Sequence, residues 1–161
     1  VVGHHIGAGQ LKDANKLVMK ALRYGLCSSI SLALIAALCG RQIMGLFSTD
    51  PAVITMGQQV LWLSVIMEPG RTFNLVVING LRATGDARFP VGFGIFSMLI
   101  AGVGLAYLFG VSLGWGLLGV WIGMAADEWV RGLAMFARWR YLAWVPHARR
   151  TRRHVLGKRR T

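Results

Sequence analysis

The sequence predicts an all-α fold, a polytopic membrane helical bundle of four transmembrane helices plus the end of a preceding one. Hydrophobic residues make up 55% of the chain and charged residues 15%, with a mean hydropathy of +0.53, a balance unusual for a water-soluble domain. The stretch 89–126 contains no charged residue and is interrupted only by the glycine-rich step around Gly114 and Gly116. Because one span needs roughly 20 apolar residues, this stretch predicts two antiparallel spans joined by a tight turn.

The boundaries of the spans follow from turn and capping residues. Asp50 and Pro51 are a side-chain cap and a first-turn proline, which are typical of a helix start. Gly85 lies in the next turn, and Pro90 is suited to the first turn of the helix that follows. We expect Pro146 to end the last span. The predicted spans cover residues 24–40, 52–81, 90–111 and 117–144.

The chain therefore divides into three predicted regions. Residues 1–16 are the end of a preceding helix and a loop, residues 17–145 are the four-helix membrane part, and residues 146–161 are a basic tail. Four spans are few for an autonomous carrier, and the first segment resembles the end of a helix. We therefore expect a fragment of a longer protein.

The positive residues predict the orientation of the bundle, because basic residues favour the cytoplasmic side of spans. The opposite side receives only Arg41 among the loops. Both ends are therefore expected in the cytoplasm, with the protein in the cell (inner) membrane. The basic residues on the predicted cytoplasmic side are Lys12, Lys16, Lys20, Arg23, Arg82, Arg88, Arg138, Arg140 and those of the tail.

Glycines at four-residue spacing predict close helix packing. Gly110 and Gly114 form one such pair, and Gly119 and Gly123 form another. Small residues let helix backbones approach each other in lipid, where packing replaces the hydrophobic effect.

Ionisable residues inside predicted spans are the candidate functional residues. They are Glu68 and Arg71 in the second span and Asp127, Glu128 and Arg131 in the fourth. A charge at a span centre opposes insertion by roughly 2.5 to 3.5 kcal/mol, so these groups should face protein or water. Spacings of three and four residues allow each acid a base. Both a structural ion pair and a transport role remain open, and the fourth span has one acid more than it has nearby bases.

The second span carries a polar stripe beside a proline. Pro69 leaves a carbonyl without its helical partner and Gly70 weakens the same turn, so we expect an interruption that faces a cavity. Broken helices with ionisable residues form the midplane sites of many transporters. The stripe comprises Ser64, Glu68, Arg71, Asn79 and Arg82, and Asn74 joins Asn79 among the candidate pathway residues.

The sequence supports neither an enzyme nor a cofactor. It contains no phosphate-binding loop or nucleophile elbow, and His4 and His5 have no further ligand at metal-binding spacing. The basic tail beside a span indicates contact with the anionic lipid bilayer, and we expect no nucleic acid partner.

Three stretches together resemble the C-terminal half of the multidrug and toxic compound extrusion (MATE) transporters. They are residues 2–10, residues 81–90, and residues 119–144 with Asp127, Glu128, Arg131 and Arg138. The resemblance implies that the spans match the ninth to twelfth helices of a twelve-helix carrier, whose N-terminal lobe is the missing partner.

The resemblance further implies export of small cationic or amphiphilic substrates, coupled to sodium or proton entry. One branch of the family uses an acid on the helix that matches the second span, but Glu68 is offset from that place by about a turn and Arg71 lies nearer to it. This leaves the coupling ion open. The alternatives are a flippase of lipid-linked saccharides in the same superfamily and a noncatalytic membrane subunit.

Overall fold

The computed structural model describes Gly3, Ala8 and residues 10–158, without the side chains of residues 152 and 154–158. This part of the chain is helical and contains no strand. His4 and His5, most of residues 2–10 and the last basic residues lie outside the described residues. The helices are α1 (Leu11–Leu38), α2 (Gly40–Gly45), α3 (Pro51–Ala83), α4 (Arg88–Ser112), α5 (Gly116–Arg140) and α6 (Val145–Lys158).

The predicted membrane helical bundle is confirmed as the fold class. By length and composition, α1, α3 and α4 are suited to cross a membrane. The fourth predicted span, α5, has 25 residues, and at about 1.5 Å per residue this is long enough to span roughly 30 Å of hydrocarbon. Over the length of a span, helix α5 is less apolar than the other three long helices, because the charged residues Asp127, Glu128 and Arg131 lie in its middle.

Helix α3 lies between α1 and α5, and α4 packs on α5. Small residues make the contact between α1 and α3. The hydroxyl oxygens of Ser29 and Thr72 are 2.8 Å apart, and a Cβ on Gly25 would lie 3.0 Å from the Thr72 methyl group.

The contact between α4 and α5 runs from backbone to backbone. A Cβ on Gly119 would lie 2.5 Å from the Phe109 carbonyl oxygen, and Gly123 similarly abuts the Ala106 backbone. The predicted glycine packing is confirmed for Gly110, Gly119 and Gly123 but wrong for Gly114. Gly114 has a φ of +71° and open space around it, so it serves the turn between the helices.

The expected interruption at Pro69 is wrong, because α3 is helical through this residue. The neighbouring helix supports the weak turn. The Trp129 indole Nε1 donates a 2.8 Å hydrogen bond to the Ile66 carbonyl, and Gly70 packs so closely that a Cβ would lie 3.0 Å from the Trp129 backbone nitrogen. The carbonyl that Pro69 deprives of its helical partner is that of Val65, so this bond acts on the adjacent carbonyl of the same turn.

The predicted end of the last span near residue 144 is also wrong. Helix α5 ends at Arg140, Leu142 turns the chain with a φ of +57°, and α6 begins at Val145. Pro146 lies in the first turn of α6, where its missing N–H costs no helical hydrogen bond. The Trp139 and Trp144 rings stack at 4.6 Å, which anchors this corner in a core with Leu81, Met135 and Ala148.

Candidate transport-pathway site

A groove lies between α3, α4 and α5, with a cavity of about 490 Å³. Helix α5 forms its floor, and α3 and α4 form its walls. Most of the lining is apolar and includes three methionines and a tyrosine, while its ionisable groups come from α3 and α5. The lining residues are Met67, Arg71, Met98, Gly102, Val103, Ala106, Tyr107, Val111, Val120, Met124, Asp127, Glu128 and Arg131.

The polar part of the groove is built on one turn of α5. Arg131 Nη2 lies 2.6 Å from Asp127 Oδ2 and 3.1 Å from Glu128 Oε1. The predicted spacing of three and four residues therefore produces real ion pairs. A single guanidinium is shared by two carboxylates.

Hydrogen bonds from the two wall helices hold these carboxylates in place. The Ser97 hydroxyl on α4 donates to Asp127 Oδ1 at 2.5 Å, and Asn74 Nδ2 on α3 donates to Glu128 Oε2 at 3.1 Å. Sequence reasoning included Asn74 but missed Ser97. The only signal for Ser97 was a hydroxyl within an otherwise apolar, uncharged stretch.

Glu68 and Arg71 form the predicted pair on α3, with 2.9 Å between Glu68 Oε1 and Arg71 Nη1. Their side chains are 24% and 39% exposed. Arg71 lines the groove, whereas Glu68 contacts Arg71 without lining the cavity itself. The pair therefore sits at the edge of the groove and is less buried than the α5 cluster.

The groove lining itself is balanced, with Asp127 and Glu128 against Arg71 and Arg131, and Glu68 at its edge adds one further carboxylate. Glu68, Asp127 and Glu128 face Arg71 and Arg131, so three carboxylates meet two guanidiniums, an excess of one negative charge when all are ionised. Two buried atoms, Asn74 Oδ1 and Arg131 Nε, have no hydrogen-bond partner in the described part of the chain. Unpaired buried polar atoms are costly in a packed core.

The predicted polar stripe does not stay together along α3. Ser64 accepts a 3.2 Å hydrogen bond from Trp121 Nε1 of α5. Asn79 is exposed, donates to the Leu75 carbonyl at 2.9 Å, and lines a different cavity beside α1. Arg82 is exposed at the end of the helix. Helix α3 is 33 residues long, and different helices lie beside it along its length. Asn79 therefore lies outside the groove although it is on the same face of α3 as Glu68 and Arg71.

A second ion pair lies at the other end of α5. Arg138 contacts Asp86 of the α3–α4 loop, with Nε 2.6 Å from Oδ2 and Nη2 3.3 Å from Oδ1. The Asp86 side chain is 2% exposed, and the guanidinium lies 4.1 Å from the Phe89 ring centre. Sequence reasoning treated Asp86 only as a turn residue. This pair lines no part of the groove.

Long apolar helices around a cluster of carboxylates and guanidiniums define an integral membrane protein of the transporter class. Within the described residues, no three His, Cys, Asp or Glu side chains are grouped to hold a metal ion. The family model MatE matches residues 1–108, more than half of the sequence. The chain belongs to the MatE family.

Named relatives agree with this membership. The Uncharacterized transporter YisQ of Bacillus subtilis is 41% identical over 145 residues, which cover 90% of this chain and 32% of that protein. The Probable multidrug resistance protein NorM of Chromobacterium violaceum is 29% identical, with 83% and 30% covered. Protein DETOXIFICATION 45, chloroplastic, of Arabidopsis thaliana is 30% identical, with 76% and 22% covered.

The chain spans about a third or less of the length of these curated relatives. No solved structure gives a significant match to it. The family and the membrane bundle are thus established from sequence relatives and from the fold.

Proposed function

We propose that the chain is part of a cation-coupled antiporter that exports cationic or amphiphilic compounds, with the α3–α4–α5 groove on its pathway. Membership of the MatE family and relatives named for multidrug resistance support a transporter of this type. The observation that carries the cationic part is the cluster of two carboxylates in an otherwise apolar groove, Asp127 and Glu128, with a third, Glu68, at its edge.

The shared guanidinium suggests how the site exchanges cations. Arg131 binds both Asp127 and Glu128. A cation that reaches Glu128 therefore competes with Arg131 for this carboxylate, while the ion pair with Asp127 keeps the Arg131 side chain in place. The methionines and Tyr107 offer an apolar wall to the body of an amphiphilic substrate. A carboxylate can bind either sodium or a proton, so the proposal includes both as the coupling ion.

The test removes one charge from the groove. Glu128→Gln keeps the size of the side chain and an oxygen that accepts from Asn74. In the full-length carrier, we expect it to lower ion-driven efflux of a cationic dye from proteoliposomes by about tenfold or more, the scale of one lost hydrogen bond to a charged group. Asp50→Asn is the matched control, because Asp50 caps α3 outside the groove and an amide oxygen also accepts from Ala52. Equal efflux by Glu128→Gln and Asp50→Asn would contradict the proposal.

We also propose that the chain acts together with the part of the carrier that its relatives have in addition, an N-terminal lobe. The relatives are about three times as long as the matched region. The chain alone should therefore confer no drug resistance on a host that lacks its own pumps, although it reaches the membrane. Efflux by the chain alone would refute this.

We place both ends of the chain in the cytoplasm and the protein in the cell membrane, on the basis of the basic residues described above. Single cysteines at Thr49 and Ser112, with Cys27 and Cys39 replaced, should react with an impermeant reagent added outside. A cysteine at Arg149 on α6 should not react. The reverse labelling pattern would overturn the orientation.

A further inference from the structure

A second polar cavity lies at the opposite end of the molecule from the tip of the α4–α5 turn, where α6 packs over the α3–α4 loop. Its volume is about 310 Å³, and it is lined by Gly85, Asp86, Arg88, His147, Arg150 and Thr151. At about 30 Å³ per water molecule, it has room for a phosphate group and a small ester substituent.

The charge of this cavity favours an anion. Asp86 is its only carboxylate among the described residues, and Arg138 already neutralises it. Arg88 and Arg150 are exposed, and within the described part of the chain neither side chain has a hydrogen-bond or ion-pair partner. Two free guanidiniums therefore border one concavity, and guanidinium is the preferred side-chain partner of phosphate.

The packing of α6 places Arg150 beside the loop between α3 and α4. Trp144 and Ala148 are each 1% exposed and belong to the bundle core. Thr151 Oγ1 donates a 3.1 Å hydrogen bond to the Thr84 carbonyl of the loop, and a Cβ on Gly85 would lie 2.5 Å from that hydroxyl oxygen. These contacts fix Arg150 against the loop that precedes Arg88.

The location of the cavity identifies the class of anion. Arg88 is the first residue of α4, a helix long and apolar enough to span a membrane, so it lies at the level of lipid headgroups. Val91 and Ile95 follow at helical spacing on the same side and are 50% and 55% exposed. An apolar strip thus leads away from the two guanidiniums along α4.

We propose that this cavity binds the phosphate of an anionic phospholipid, with the glycerol ester between Arg88 and Arg150 and an acyl chain along Val91 and Ile95. The site is separate from the groove and does not depend on the transport function. It is also distinct from a general attraction of a basic tail to a membrane, because it assigns the contact to two particular arginines.

The experiment compares two charge-matched double variants of the protein in detergent. Arg88→Gln with Arg150→Gln removes the cavity guanidiniums, whereas Arg149→Gln with Arg153→Gln removes two exposed arginines of α6 that do not line the cavity. Retained phosphatidylglycerol is measured by native mass spectrometry, with phosphatidylcholine, a zwitterion without net charge, as the competitor. We expect the first variant to lose about tenfold in retention and the second to change little.

Further arms separate folding and ligand source. The double variant Arg88→Lys with Arg150→Lys keeps the charge and should recover part of the phosphatidylglycerol retention. All variants should have the same unfolding temperature as the unmodified protein in lipid-free detergent. An equal loss of phosphatidylglycerol retention in both Gln variants would overturn the proposal and indicate a general electrostatic attraction of the basic residues to anionic lipid. Saturable binding of inorganic phosphate without preference for phosphatidylglycerol would overturn the lipid as ligand.

Discussion

The two ion clusters of α5 are built from the same residue types but differ in balance and surroundings. Asp86 and Arg138 pair one to one, with the carboxylate 2% exposed and the guanidinium over the Phe89 ring. Asp127, Glu128 and Arg131 combine two acids with one base, carry an unpaired buried Nε, and open on a cavity of about 490 Å³.

This difference shows how a structural ion pair can be distinguished from a candidate site in a membrane protein. A buried charge needs a partner in either case, since removal of one partner leaves the other uncompensated. Only an unbalanced cluster with access to a cavity can exchange that partner for a guest. The sequence predicts both the pairing and the surplus acid of the fourth span, but access to a cavity comes from the fold.

Arg138→Gln should have the largest effect on stability. It leaves Asp86 buried without a counter-charge and removes the contact with Phe89, so we expect a loss of about 3–5 kcal/mol in the free energy of unfolding. Chemical denaturation in detergent measures it. Arg140→Gln, an exposed neighbour on the same helix, should change stability by less than about 0.5 kcal/mol. Similar values for the two variants would show that the Asp86 pair is not structural.

Gly119→Ala should cost about 1–3 kcal/mol, because its methyl group would overlap the Phe109 carbonyl and force α4 away from α5. The separation should also weaken the bond from Ser97 to Asp127 and so disturb the groove. Gly92→Ala is the control, since a Cβ there meets nothing within 4 Å and alanine favours helix by up to about 1 kcal/mol. Thermal unfolding of both variants gives the comparison, and equal midpoints would contradict the close contact.

Much of the fold could be predicted from the sequence, because apolar stretches, Pro51, Gly85 and the glycine spacing act locally. The all-helical bundle and the pairing of Arg71 and Arg131 with nearby acids depend only on composition and helical period. Local signals failed where a neighbouring helix decided the outcome. Pro69 does not interrupt α3, and Trp129 of α5 packs on this turn and binds the Ile66 carbonyl.

The candidate site was predictable only in part for the same reason. Asp127, Glu128, Arg131 and Arg71 could be chosen from the sequence as charged residues within spans, and the structure brings them together. The role of Ser97 and the environment of Asn79 could not be predicted from the sequence, because each depends on which helix packs against that residue. The partner of Asp86, 52 residues away, likewise required the packing of α5 on the loop.

Trp129→Phe should cost about 1 kcal/mol, the value of one hydrogen bond, since it removes the donor to the Ile66 carbonyl but keeps the packing on Gly70. Its effect tests whether the bundle supports the proline turn next to the Glu68–Arg71 pair. Trp62→Phe serves as control, because Trp62 is 44% exposed and makes no described hydrogen bond. Unchanged stability for Trp129→Phe would mean that α3 is continuous through Pro69 without this support.

Glu68→Gln should change stability least, by less than about 1 kcal/mol, because both members of its pair are partly exposed and an amide can still accept from Arg71. If Glu68 belongs to the ion pathway, the protein should reach the membrane in normal amounts while ion-driven efflux falls. If the pair resembles Asp86 and Arg138, the variant should instead lose stability and abundance. Efflux from proteoliposomes that contain the full-length carrier, under separate sodium and proton gradients and with Asp50→Asn as control, distinguishes the two. A folded and abundant variant with unchanged ion dependence would remove Glu68 from the proposed pathway and leave the α5 cluster as the remaining candidate.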